Sequence, residues 1–378
     1  MTGSIQNHNR HRHGKVETAA RKHLSELPLV SLLFLFFVLA VTQRVYCSQS
    51  EVNPLFMITL YGKIGFINKQ GDLVIPATFE AALEFSEGLA AARLCDRWGY
   101  IDKYGKWVIP NLFDDARSFS SGRAVVSRFQ SGQTGRREAV VDREGRAIVS
   151  NLEETQGTFS EGVLAVKVMG RWGFINADGE FVIPQKFDYA TFFSDGLALV
   201  RVNDSWFYID REGRITLKHG DGNFSEGLAS RCISKGLYGK LCGFIDTSGS
   251  SVIRAQFDEV GEFKDGLVRV RRKDRWGFAN RNGQMVVQPV YEEVSDFADG
   301  LAMVVLDGKA GYVDPLGAMR VPPIFDSAGD FRDGLARVTL GSRVFYIDKR
   351  QQVIWPQGAT VLYKQEEKSG HLGSPSLF

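Results

Sequence analysis

An internal repeat with a period of about 34 residues constrains the fold of this chain more than any other feature of its sequence. The repeat is marked by glycines at or near multiples of that spacing, at Gly65, Gly99, Gly173, Gly243, Gly277 and Gly311. Such a period is typical of an array whose units pack on their neighbours. A chain of 378 residues would otherwise suggest two or three domains. The repeat instead predicts a single array over residues 55–357.

Each unit contains the signature of a β-hairpin. In the second unit, Asp102 opens a four-residue turn that ends at Gly105. An Asp or Asn at the first position accepts hydrogen bonds from the turn, and a Gly at the fourth position can adopt positive φ. We assign the same roles to Asn176 with Gly179 and to Asp246 with Gly249. The first position recurs nine times, at Asn68, Asp102, Asp142, Asn176, Asp210, Asp246, Asn280, Asp314 and Asp348.

A Trp-Gly dipeptide precedes this turn in three units, at Trp98-Gly99, Trp172-Gly173 and Trp276-Gly277. A Val-Ile-Pro segment and a Phe-Asp pair follow the turn in register, as at Val182–Pro184 and Phe187-Asp188. Together these motifs resemble the WG-repeat family, also called the KWG-repeat family. The resemblance covers residues 55–357. It implies a tandem-repeat protein and does not imply an enzymatic activity.

The repeat predicts an all-β fold. A strand such as Leu197–Arg201 leads through a short turn into the next hairpin, so each unit reads as a three-stranded antiparallel meander. Propellers usually have four to eight blades of four strands. Because nine hairpins and three strands per unit depart from that pattern, the sequence favours an open twisted solenoid. A closed ring resembling a β-propeller is the alternative.

The ends of the chain differ from the repeats. Residues 1–26 are polar and basic, and an apolar run, interrupted only by Ser31, follows from Leu27 to Val41. A helix of this length spans roughly 22 Å, less than a hydrocarbon core of about 30 Å. We therefore interpret residues 27–47 as a signal peptide cleaved near Ser48, with an uncleaved signal anchor as the alternative. Residues 358–378 are expected to form a flexible tail. The protein is thus predicted to be exported, either periplasmic, extracellular or anchored facing outward.

The charge balance argues against nucleic acid as a partner. Lys and Arg number 46 against 44 Asp and Glu, which leaves a net charge of +2. Binding to nucleic acid depends on clustered positive charge, which this balance does not supply in bulk. Any contact with a membrane is expected only through the N-terminal segment if it is not cleaved.

Residues suited to catalysis or metal binding are scarce. Of six histidines only His219 lies within the repeats, in an ordinary loop context. One Asp or Asn per turn is too few for a calcium loop, and no nucleophile or phosphate-binding motif is present. We therefore predict no catalytic residue, no metal and no cofactor. In an exported chain Cys232 and Cys242, on the two arms of one hairpin, are the expected disulfide.

A cation precedes the Trp position in seven units, at Lys63, Arg97, Arg137, Arg171, Arg275, Lys309 and Arg343. Aligned by the repeat, these side chains would form a basic stripe that could bind an anionic partner. The competing interpretation is that they form ion pairs with acids that recur at Glu80, Asp114, Asp188, Asp258, Glu292 and Asp326.

The sequence favours an exported, non-catalytic binding or scaffold protein whose β-repeat surface contacts a protein or a glycan. One alternative is an envelope or extracellular hydrolase that uses a pair of carboxylates, as glycosidases do. A purely structural surface component is another. The sequence does not indicate an oligomeric state.

Overall fold

The computed structural model describes residues 54–128, 137–218, 220–236 and 239–359, and in them β-strands form nine antiparallel sheets. The apolar run from Leu27 to Val41 lies outside these residues, as does His219. Within the described ranges no helix has the length and apolarity needed to cross a membrane. Each sheet corresponds to one repeat and is called a blade.

The strands follow the repeats in chain order. Blade 1 contains β1 (Phe56–Leu60), β2 (Lys63–Ile67) and β3 (Leu73–Phe79). Blade 2 contains β4 (Ala81–Ala82), β5 (Ala90–Leu94), β6 (Arg97–Ile101) and β7 (Trp107–Phe113). Blade 3 contains β8 (Asp115–Ala116), β9 (Ala124–Arg128), β10 (Arg137–Val141) and β11 (Ala147–Leu152).

The next three blades have the same order. Blade 4 contains β12 (Glu154–Ser160), β13 (Val163–Val168), β14 (Arg171–Asn176) and β15 (Phe181–Phe187). Blade 5 contains β16 (Tyr189–Ser194), β17 (Leu197–Val202), β18 (Ser205–Ile209) and β19 (Ile215–Lys218). Blade 6 contains β20 (Phe224–Ser225), β21 (Leu228–Ser234), β22 (Lys240–Asp246) and β23 (Ser251–Phe257).

The last three blades complete the array. Blade 7 contains β24 (Glu259–Val260), β25 (Leu267–Arg272), β26 (Arg275–Asn280) and β27 (Met285–Tyr291). Blade 8 contains β28 (Glu293–Val294), β29 (Ala302–Leu306), β30 (Lys309–Val313) and β31 (Met319–Phe325). Blade 9 contains β32 (Ser327–Ala328), β33 (Leu335–Leu340), β34 (Arg343–Asp348) and β35 (Val353–Trp355).

Blades 1 and 9 pack against each other, so the nine blades form a closed propeller-like ring. Phe56 of blade 1 shares a buried cluster with Tyr346 of blade 9, and their rings make an edge contact at 5.7 Å. The amide of Gln357 also donates to the carboxylate of Asp72 at 2.9 Å. The expected open solenoid is therefore wrong. The ring closes because the first and last blades bury their apolar faces against each other.

The expected three strands per unit are also wrong for blades 2 to 9, which have four. The added strand lies in the aromatic link after each hairpin, for example β4, and pairs with the following strand. In most of these blades it is as short as β4, with only two residues. So short a strand carries no alternation of apolar and polar residues, and the sequence pattern therefore missed it.

The core lies between successive blades. In the cluster between blades 1 and 2, Phe79 at the end of β3, the last strand of blade 1, packs with Ala92 in the second strand of the next blade. The same pair of positions meets at Leu152 with Val166, Phe187 with Val200, and Phe257 with Val270. We call the apolar residue that ends the last strand of a blade the wedge residue. In the regular blades it joins one blade to the next by burying apolar surface.

The glycine of the Trp-Gly motif allows the fourth strand to bulge. A Cβ at Gly99 would lie 2.5 Å from the Ile109 carbonyl oxygen and 2.6 Å from the Asn111 nitrogen. Trp98 of β6 pairs with Phe113 of β7, and Tyr100 pairs with Ile109. Only Gly99 lies between these pairs on β6, whereas residues 110–112 lie between them on β7, so β7 bulges. In blade 5 Phe207 replaces the glycine, and β18 and β19 pair without a bulge there. The bulge thus occurs where this residue is small, as Gly99 and, in blade 3, Ala139 are.

Candidate functional site

The junction between blades 5 and 6 differs from the others in chain length. Each hairpin turn is followed by a Phe that belongs to the next blade. In seven repeats this Phe lies at the same number of positions after the first turn residue, as Phe119 lies after Asp102. Phe224 follows Asp210 three positions sooner. The missing positions shorten the fourth strand, so that β19 (Ile215–Lys218) is shorter than β15 (Phe181–Phe187). Lys218 ends β19 and is exposed, so β19 (Ile215–Lys218) places no apolar wedge residue in this junction.

The link after β19 passes close to the blades on both sides. Gly220 lies where a Cβ would be 2.4 Å from the Tyr208 ring, and a Cβ on Gly222 would be 2.4 Å from the Ser230 hydroxyl. The Tyr208 hydroxyl donates to the Gly222 carbonyl at 2.5 Å. Burial raises the pKa of Tyr208 to about 12, so this donor stays protonated at neutral pH. The two glycines therefore allow the link to pass close to both blades, and the hydrogen bond from Tyr208 fixes its position.

Without a wedge residue, the second strand of blade 6 is uncovered. Arg231 in β21 occupies the position of Val200 and Val270, which are fully buried in their blades, yet Arg231 is exposed. Its cluster between blades 5 and 6 contains Ala229 and Ile245 and omits Arg231. A charged side chain is tolerated here because it reaches water.

A groove of about 380 Å³ opens at this place. It is lined by Arg231, Ile233, Phe244, Ile245, Ser251, Ile253, Arg254 and Ala255, and we call it the blade 6 groove. Its volume lies within the range of about 300–1,000 Å³ typical of ligand sites. Five of the eight lining residues are apolar, and the other three are two arginines and a serine. Such a lining suits a ligand that combines apolar groups with a negative charge.

Both arginines of the groove are available to a ligand. Arg231 and Arg254 are exposed, and neither guanidinium makes a hydrogen bond or an ion pair with a described residue. Guanidinium groups bind carboxylates through paired hydrogen bonds. The groove can therefore hold a carboxylate beside an apolar floor.

Two contacts hold the groove's hairpin in place. Cys232 and Cys242 lie directly opposite each other on β21 and β22 and form a disulfide. In blades 2, 4, 5 and 7 the same cross-strand position pairs Arg or Lys with Trp, as Arg271 with Trp276. The carboxylate of Asp221 also accepts the Cys232 backbone N–H at 2.8 Å. The strand that carries Arg231 and Ile233 is thus covalently tied to its neighbour.

The predicted basic stripe is engaged in ion pairs between blades. Six of its members lie near the carboxylate at the start of the next blade: Lys63 with Glu80, Arg97 with Asp114, Arg137 with Glu153, Arg171 with Asp188, Arg275 with Glu292, and Lys309 with Asp326. Arg343, the seventh, has no such partner among the described residues. The pairing acids also accept backbone N–H groups, as Glu292 does from Gly308 at 3.0 Å. The geometry therefore agrees with the interpretation that the cations of the stripe form ion pairs with the recurring acids.

The assigned turn residues adopt the expected geometry. Gly105, Gly179 and Gly249 have φ of +80°, +84° and +84°. The Asp102 carboxylate accepts the N–H of Tyr104 at 2.9 Å, and Asn176 and Asp246 accept equivalent bonds from residues two positions on. These residues build the turns.

Several predicted features lie outside the described residues: the segments 1–26 and 27–47, His219 and most of the tail 358–378. Cys95 is a free, exposed cysteine. No group of three or more His, Cys, Asp or Glu side chains suited to a metal ion occurs in the part of the chain that the structure describes.

Sequence reasoning missed Arg231 and Arg254. Two signals could have found them. The link from Asp210 to Phe224 is three positions short, and Arg231 stands where the repeat has an apolar residue. Arg254 also stands where Pro76, Pro110 and Pro184 end the Val-Ile-Pro segment in other units.

Comparison with known proteins identifies the repeat. The family model described as WG containing repeat matches residues 64–94, 98–128, 172–206, 243–276, 276–309 and 311–343, more than half of the chain. The residues between 206 and 243, which include the short link and Arg231, lie outside these matches. No curated protein matches this chain in sequence.

One solved structure is similar in fold at low sequence identity, and a second is less similar. A eukaryotic initiation factor is similar to this chain with a TM-score of 0.55 and 11% identity, over 80% of this chain and 95% of that one. Dipeptidyl peptidase 4 of Porphyromonas gingivalis gives a TM-score of 0.38 and 10% identity, over 72% of this chain and 52% of that one. This chain thus spans about half the length of the peptidase. The first likeness concerns the fold alone.

Proposed function

Since the chain belongs to the family of WG-containing repeat proteins, we propose that it is an exported, non-catalytic binding protein whose blade 6 groove holds a peptide segment of a partner protein. The observation that carries the proposal is the pair of unpartnered guanidinium groups, Arg231 and Arg254, beside an apolar floor. The segment would present an Asp or Glu carboxylate to the arginines and apolar side chains to Ile233, which is 51% exposed.

Export is supported by two features. The apolar run from Leu27 to Val41 has the length of a signal sequence. The disulfide between Cys232 and Cys242 is of the kind that persists in oxidising compartments outside the cytosol.

Binding is favoured over hydrolysis by the chemistry of the groove. A glycosidase of the usual type needs two carboxylic groups about 5 to 10 Å apart across its substrate. The residues that line the groove in the described chain include no Asp or Glu. They instead supply positive charge, which attracts an anionic ligand.

A screen of random displayed peptides against the full chain tests the proposal. The selected peptides should contain Asp or Glu next to apolar residues. Arg231→Val should weaken their binding at least about tenfold, which corresponds to about 1.4 kcal/mol. Valine is compatible with the fold because it occupies this position in six other blades.

Lys103→Ala is the matched control, because it removes an exposed cation from a turn of blade 2. It should leave peptide binding unchanged. Peptides without acidic residues, or equal affinity for the Arg231→Val variant and the unaltered chain, would refute the proposal.

A further inference from the structure

The last strand of a blade is the edge of its sheet, and in several blades it carries a proline at one repeat position. In blades 1, 2, 4 and 8 this position holds Pro76, Pro110, Pro184 and Pro322. Because proline has no N–H, the position donates no hydrogen bond to the neighbouring strand, and on an edge strand proline prevents a further strand from adding. The position therefore lies outside the hydrogen-bond ladder of the blade.

Blade 6 has an arginine at this position. Its last strand, β23, reads Ser-Val-Ile-Arg-Ala-Gln-Phe, with Arg254 in the place of the proline. The backbone follows the same path as in blade 2, since a Cβ at Gly243 would lie 2.6 Å from the Arg254 carbonyl carbon and one at Gly99 would lie 2.7 Å from that of Pro110. Among the described residues the sheet ends at β23. The sheet therefore does not need the N–H of Arg254, which can donate to another chain.

The same strand borders the blade 6 groove. Four of the eight residues that line the groove belong to β23, namely Ser251, Ile253, Arg254 and Ala255. A ligand in the groove therefore lies against this edge. The last strand of blade 3 also lacks a proline, but Ser150 at this position supplies no positive charge. Blade 6 thus combines an edge that is open to a further strand with an arginine at its centre.

We propose that the partner segment binds as an extended strand along the outer edge of β23 and so becomes a fifth strand of blade 6. This inference rests on the proposed function and adds the conformation of the ligand. The Arg254 N–H would donate to a carbonyl of the segment, and the Arg254 guanidinium would bind an acidic side chain. Val252, which is 45% exposed, lies two positions away on the same face, where an apolar side chain of the segment can pack. In this mode of recognition backbone hydrogen bonds supply affinity and alternate side chains supply specificity.

Substitution of Arg254 separates the contribution of the backbone from that of the side chain. Arg254→Pro restores the Val-Ile-Pro sequence of blades 1, 2 and 4 and removes both the N–H and the charge. Arg254→Gln is the matched control, because Gln288 holds this position in blade 7. It removes the charge and keeps the N–H. With a peptide selected by display, the Arg254→Pro chain should bind at least about fivefold more weakly than the Arg254→Gln chain. Equal affinities would overturn the inference, and weaker binding by Arg231→Val would then still support the proposed function.

Methylation of the peptide backbone gives a second readout, which uses the unaltered full chain and does not depend on how the variants fold. Successive N–H groups of a strand point alternately toward and away from the neighbouring strand. Single N-methyl groups should therefore weaken binding at least about tenfold at every second position of the selected peptide and less than about threefold at the positions between. Equal effects at all positions would overturn the inference. If no acidic peptide is selected, the proposed function fails and this inference fails with it.

Discussion

Two neighbouring junctions are built from the same repeat but differ in packing: the one between blades 6 and 7 and the one between blades 5 and 6. At the first, Phe257 packs on Val270, and both are fully buried. At the second, a link three positions shorter leaves the equivalent position, Arg231, in contact with water. The regular junctions, in which apolar residues from both blades are buried, therefore hold the ring together. Where the repeat is interrupted, the strand that carries Arg231 is exposed to water, and this is the surface that we propose binds a partner.

The largest effect on stability is expected when the charge of the junction between blades 5 and 6 is introduced into the junction between blades 6 and 7. Val270→Arg would bury an unpaired guanidinium against Phe257 and should destabilise the protein by about 4 kcal/mol or more. Arg231→Val, the reverse change, should alter stability by less than about 0.5 kcal/mol because the site is exposed. Urea denaturation of both variants measures the difference. Similar losses of stability would contradict the contrast between the junctions.

The next largest effect is expected at the glycine of the Trp-Gly motif. A methyl group at Gly99 would meet backbone atoms of the fourth strand, which cannot rotate away, so Gly99→Ala should cost about 2 kcal/mol. Gly122→Ala is the control. It has positive φ but no atom within 4 Å of the added Cβ, so it should cost about 1 kcal/mol. Thermal unfolding compares them, and an equal shift would remove the steric explanation of the bulge.

A smaller effect is expected in the hairpin turns. Gly105 has φ of +80°, and a Cβ there would approach the Ile75 side chain of the preceding blade at 2.9 Å. Gly105→Val should therefore cost more than about 1 kcal/mol. Lys103→Ala in the same turn should cost little, because its side chain is exposed. If the two substitutions lower the melting temperature equally, the turn assignment fails.

The smallest effect concerns the ion pairs between blades. The Gly308 N–H, followed by the Arg275 guanidinium, lowers the pKa of Glu292 below its ordinary value near 4.5. Lys309, followed by the Gly341 N–H, likewise lowers the pKa of Asp326 below 3.8. A carboxyl whose pKa is lower in the folded state stabilises the protein above its ordinary pKa, and that contribution is lost as the pH falls through the lowered value.

Unfolding free energies measured from pH 7 to pH 3 should therefore decline below about pH 4.5. The decline should be smaller in Glu292→Gln, in which this carboxyl is absent. Glu262→Gln changes an exposed carboxyl that makes no ion pair with a described residue, and it is the control, expected to follow the unaltered chain. A Glu292→Gln chain with the same pH profile as the unaltered chain would show that this carboxyl contributes nothing to the junction.

Much of the fold could be predicted from the sequence because the repeat records local geometry. Asp102 and Gly105 specify a turn by hydrogen bonding and by φ, both of which depend on neighbouring residues alone. The closure of the ring depends on contacts such as that of Phe56 with Tyr346, from opposite ends of the array, which no local pattern encodes. The sequence therefore predicted nine hairpins and favoured the wrong arrangement of them.

The candidate site was harder to predict for a different reason. The basic stripe was conspicuous because it recurs, yet recurrence placed six of its seven cations beside the acid of the next blade, as Lys309 beside Asp326 at 2.5 Å. Arg231 occurs once and departs from its repeat. Its significance depends on the absence of a wedge residue from the preceding blade, a contact between blades that becomes visible only when the sheets are assembled.

The central claim is that partners bind at the blade 6 groove and not elsewhere on the rim, and site-specific photo-cross-linking tests it most directly. A photoreactive residue would replace Ile233 at the groove or Leu112 on the outer strand of blade 2, which are 51% and 50% exposed. Each full chain is irradiated with a peptide selected by display. Labelling at position 233 that Arg231→Val abolishes, with none at position 112, is the predicted result. Equal labelling at both positions would contradict the account.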